Sequence, residues 1–105
     1  MTTQDKVNKI QAIVTESLNE NLVDVGLGKL APMELLYVIQ IGTDILCTKW
    51  GLGVSGGLFV QSIADNDLIT AIQTAGTMNL KAIRFYCILI TTIDEPMFEE
   101  FKKEL

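Results

Sequence analysis

Residues 3–20 place Val7, Ile10, Val14 and Leu18 at helical spacing, with Ile13 widening the apolar stripe. Asp5, Asn8, Lys9, Gln11, Thr15 and Glu16 supply the opposite, wet side, so the segment predicts an amphipathic helix. Thr2-x-x-Asp5 at its start resembles a capping box with Asp in the Glu position. Gly26 and Gly28 then mark a loop, and Pro32 suits the first turn of a second helix over about 32–49.

That second segment is apolar on nearly every side: Met33, Leu35, Leu36, Val38, Ile39, Ile41, Ile45 and Leu46. Glu34, Gln40, Thr43, Asp44 and Thr48 leave it only a narrow wet stripe. Such a helix must be covered from several directions, which makes it the central element. Trp50 and the glycine-rich stretch 51–57 end it.

Residues 58–63 are too few for periodicity to choose between strand and helix. Asp65 is a candidate N-cap for a helix over 66–75, with Leu68, Ile72 and Ala75 inward and Gly76 as its stop. The segment 79–93 has strand-like composition, but its length and its polar Asn79, Lys81 and Arg84 on one side favour a helix. From Asp94-Glu95-Pro96 a last helix is expected, with Met97, Phe98, Phe101 and Leu105 on one face. The fold class is therefore all-α, a compact array of four to five helices in one domain, 1–105. The alternative is α+β, with short strands near 57–63 and 82–92.

Composition narrows the function. Of 105 residues nearly half are hydrophobic, and a chain this short has much surface for its volume. An apolar excess can then be satisfied between subunits, so a homo-oligomer is expected. The net charge of -5 and the scattered lysines argue against nucleic acid as a partner, because phosphate contacts need clustered cations. No apolar run approaches the roughly 20 residues needed to span a bilayer. The opening residues lack the basic-then-apolar profile of a secretory signal. Cys47 and Cys87, both in apolar surroundings, suit reduced thiols and a cytoplasmic protein.

The chemistry is thin. With no histidine in the chain, nucleophile–histidine systems and imidazole acid–base work are excluded. The two cysteines stand 40 positions apart and form no Cys-x-x-Cys pair. Asp65-Asn66-Asp67 lacks the later ligands of a calcium loop, so no metal and no cofactor are expected. Gly51-Leu52-Gly53-Val54-Ser55-Gly56 has the letters of a dinucleotide fingerprint, but a helix rather than a strand precedes it. Its amides could still hold a smaller anion beside Ser55.

Arg84 stands inside the most apolar run, 82–90, where a charge must find a partner, reach water or face another molecule. An internal pair with Asp44 or Glu34 competes with an interface role, in which Phe85 or Tyr86 could stack on it. Trp50 reads as a core plug or, with Arg84 and Tyr86, as part of an interface. The expected function is non-enzymatic: a small cytoplasmic interaction or assembly protein whose partners are its own copies or another protein. The alternative is a module binding an anionic ligand or nucleotide through Gly51, Gly53, Ser55, Gly56 and Arg84.

Overall fold

The computed structural model describes residues 2–52 and 56–93. Among the described residues the chain is all-helical: α1 (Thr3–Asn21), α2 (Pro32–Lys49), α3 (Leu58–Ala64), α4 (Leu68–Thr74) and α5 (Thr77–Thr92). The strand alternative fails at both places, since those stretches form α3 and most of α5. The helix expected from Asp94 onward lies outside the described residues.

α1 begins as its sequence requires. The Thr2 hydroxyl accepts from the Asp5 amide, and the Asp5 carboxylate accepts from the Thr2 amide, both at 3.1 Å. These bonds with Thr2 hold the Asp5 carboxyl below its ordinary range. α2 opens on Pro32, with Glu34 accepting from the Ala31 amide at 2.9 Å. α1 packs on α2 and α5, α2 also packs on α3 and α5, and α3 packs on α4 and α5.

Two helix ends share one device. After α1, Gly26 donates to the Val23 carbonyl at 3.0 Å and Leu27 to the Leu22 carbonyl at 3.0 Å. After α2, Gly51 donates to Thr48 at 3.3 Å and Leu52 to Cys47 at 3.0 Å. Both glycines are left-handed, at φ 75° and 67°, and both following leucines are buried. This is the Schellman stop, which satisfies orphan carbonyls and folds an apolar residue back onto the helix. The Gly-Leu pair therefore recurs at 26–27 and 51–52 for a physical reason.

The core joins Ile10, Val14 and Leu18 of α1 to Val38, Ile45 and Leu46 of α2 and to Phe85, Tyr86 and Leu89 of α5. Full burial of such side chains contributes about 1.5–3 kcal/mol each. Phe59 of α3 meets Tyr86 edge-on, ring centroids 5.8 Å apart. Gly42 lets α2 approach closely: a Cβ there would lie 2.8 Å from Leu89 Cδ1 and 3.0 Å from Val14 Cγ1.

Four local expectations need correction. Asn66 adopts φ 63° between α3 and α4, and the helix expected over 66–75 starts later, as α4. Asp67, not Asp65, caps that helix by accepting from the Thr70 amide at 3.2 Å. Within α4 Ala71 points inward while Leu68 and Ile72, expected inward, point out. Thr43, expected on the wet stripe, is buried, because its hydroxyl is satisfied by the Ile39 carbonyl at 2.7 Å.

Candidate functional site

The first two turns of α2 carry a face that nothing in the described fold covers. Met33 is 82% exposed and Leu36 63%, with Tyr37 beside them. Spacings of three and four residues put all three on one side of the helix. Met33, Glu34 and Tyr37 meet Met78 of α5 around an open cleft of about 280 Å³. α4 adds a second uncovered ridge, Leu68, Ile69 and Ile72.

Tyr37 is held from behind by a polar relay. Tyr86, fully buried, donates its hydroxyl to Asn79 Oδ1 at 3.0 Å, and Asn79 Nδ2 donates to the Tyr37 oxygen at 3.2 Å. Burial, with the nearby Tyr37 as a lesser cause, pushes the Tyr86 hydroxyl well above its ordinary pKa. The relay fixes one edge of the cleft and ties it to the core. The cleft itself offers two flexible thioethers, a ring and one carboxylate, a surface suited to contact rather than to bond chemistry.

A second cleft of about 280 Å³ lies where α5 ends against α1, lined by Ile13, Glu16, Ser17, Glu20, Thr92 and Ile93. Among the described residues no group of three or more His, Cys, Asp or Glu could hold a metal ion. No helix among them is long and apolar enough to cross a membrane.

The sequence-derived candidates are dispersed. Arg84 is exposed, and its Nη1 donates to the Asp24 carbonyl at 3.1 Å, in the loop leading to α2. It pairs with neither expected acid: Asp44 accepts from Gln40 and Glu34 from the Ala31 amide. Gly51 lies two residues past Lys49, at the other end of α2, and serves as that helix's stop. Of the expected anion site, Arg84 thus reaches the loop before α2, while Gly51 lies past its far end. Gly56 lies close against Val60, while Gly53 and Ser55 lie outside the described residues. Trp50 and Tyr86, expected at an interface, are both interior.

Neither cysteine is primed for nucleophilic work. Burial, reinforced by the Asp44 carboxylate, pushes the Cys47 thiol up to about 11, and burial also raises Cys87. A reactive thiol needs the opposite shift.

Sequence reasoning missed Met33, Leu36 and Tyr37 as a surface, although an all-round apolar α2 was the signal. It also missed Lys6. The buried row of α1 reads Lys6, Ile10, Val14, Leu18, a strict four-residue register that starts on a lysine. Comparison of the chain with protein-family models, curated proteins and solved structures finds no match.

Proposed function

We propose that this protein works by association: the Met33, Leu36, Tyr37 and Met78 face is the contact surface of a homo-oligomer. One observation carries the reading. α2 is apolar around most of its circumference, yet its first two turns are left open to water. Contiguous exposed apolar side chains of this kind mark interaction surfaces, and methionine and tyrosine are enriched in such contacts while acids are depleted. The rigid backing of Tyr37 by Asn79 lowers the entropy lost on docking.

The role is an assembly or scaffold role rather than catalysis. Its two free cysteines suit a reducing compartment such as the cytoplasm. The test is mass in solution by light scattering, from about 1 to 100 μM, against the 11.6 kDa of one chain. The natural sequence is expected at a multiple of that mass. Met33→Glu combined with Leu36→Glu should give a folded monomer, because both side chains already face water. A natural chain that stays at one-chain mass throughout defeats the proposal.

A further inference from the structure

The chain has four methionines, and the two among the described residues, Met33 and Met78, line the same cleft. They come from different helices, α2 and α5, and Met33 is 82% exposed. The other oxidisable sulfur is treated in the opposite way. Cys47 is fully buried with its thiol held protonated, and burial also raises the Cys87 thiol. Peroxide attacks a thiol through its thiolate, so protonated thiols are slow targets. A thioether has no proton to lose, and access sets its susceptibility. Peroxide chemistry is thereby directed away from the cysteines and onto the cleft that the contact surface uses.

The step balances with hydrogen peroxide as the oxidant. A lone pair of the Met33 or Met78 sulfur attacks one peroxide oxygen, and the O–O bond breaks. The departing hydroxide takes the proton from the transferred oxygen and leaves as water. Sulfur has gained an oxygen and lost two electrons, and a flexible apolar side chain has become a polar, chiral one. The cleft is poorly equipped for that product. The Glu34 carboxylate in its lining is an acceptor, as the sulfoxide oxygen is, and offers it no hydrogen bond.

We infer that Met33 and Met78 make association peroxide-sensitive: sulfoxide at either sulfur releases the chains, and methionine sulfoxide reductase restores the contact. This rests on the Met33, Leu36, Tyr37 and Met78 face being the contact between copies. Assembly covers the thioethers, so the oxidant reaches free chains and traps them apart. The test treats the natural chain with hydrogen peroxide and separates the products by size with light scattering. Mass spectrometry then maps the sulfoxide at each methionine in each fraction.

Sulfoxide at Met33 or Met78 should be concentrated in the one-chain fraction. The dissociation constant should rise about 5–150-fold, the range for a polar group left unpaired in a contact. Methionine sulfoxide reductase with dithiothreitol should restore the original mass, whereas dithiothreitol alone, which reverses disulfides and sulfenic acids, should not. An assembly that keeps its mass with Met33 and Met78 both converted overturns the inference and leaves the contact reading standing. Recovery with dithiothreitol alone, or one-chain material whose sulfoxide lies only at Met1 or Met97, also overturns it. A chain at one-chain mass before any peroxide is added defeats the contact reading itself, and the inference with it.

Discussion

Tyr86 and Asn79, seven residues apart on α5, are joined by a hydrogen bond of 3.0 Å from the phenol to the amide oxygen. The pair sits where core becomes surface, because the same amide donates onward to Tyr37. Asn79→Leu should therefore cost about 1–3 kcal/mol, the penalty of leaving a buried hydroxyl without an acceptor. Tyr86→Phe removes the donor and its need together and should cost less. Urea unfolding of the two variants gives the comparison. An Asn79→Leu chain as stable as the natural one would show that the relay is ornamental.

At Gly42 the helix α2 meets side chains of both α1 and α5. Adding a methyl gains helix propensity of about 1 kcal/mol but forces side chains of Leu89 and Val14 apart, and overpacking costs about 1–3 kcal/mol. Leu89 Cδ1 is a mobile tip, whereas Val14 is β-branched and stiff. Gly42→Ala should lose about 1 kcal/mol net, and Gly42→Leu considerably more. Equilibrium denaturation measures both, and a stabilised Gly42→Ala would mean that the contact yields.

The thiols give a pH prediction. Cys47 titrates at about 11 in the folded chain, above its ordinary value of 9.0. A raised folded pKa means that the unfolded chain loses its proton first. The stabilisation is full below pH 9 and fades as pH rises toward 11. Tyr86 is shifted the same way, so its contribution declines further into the alkaline range. Melting temperatures from pH 8 to 11 should fall steadily, and Cys47→Ala should flatten the early part of that fall. At pH 8 a thiol reagent should modify half-buried Cys87 before buried Cys47.

The large elements were legible because their signals are long. α1 and α2 each span several turns of consistent pattern, with Thr2/Asp5 and Pro32 marking their starts. What escaped lay in single positions. Asn66 sits in the left-handed turn that divides α3 from α4, a backbone Asn tolerates but does not demand, and the short α4 turns Ala71 in and Leu68 and Ile72 out. Gly-Leu at 26–27 and 51–52 looks like chance in the sequence, and only the bonds from Leu27 and Leu52 reveal the two as one kind of helix stop. Lys6 hid because charge argues for the wet side and only tertiary packing places it in the dry row. The open face of Met33 and Leu36 hid for the inverse reason: apolar residues read as core until the neighbours are counted.

Arg84 drew notice as a charge in an oily run, and the fold resolves it at the surface. α5 presents it outward, and its guanidinium ties the helix to the Asp24 carbonyl, 60 residues earlier in the chain. That loop connects α1 to α2, so the bond ties the middle of α5 to the turn that follows α1. An exposed hydrogen bond of this kind contributes about 0.5–1.5 kcal/mol. Arg84→Met keeps the apolar stem and removes the fork, so it should lower stability by that amount and leave oligomer mass unchanged. Amide exchange should quicken around Asp24, Val25 and Gly26 while the α2 core stays protected. Arg84→Lys should recover only part of the loss, because a single ammonium lacks the planar fork. Loss of assembly in a folded Arg84→Met chain would instead move the interface onto α5 and away from Met33.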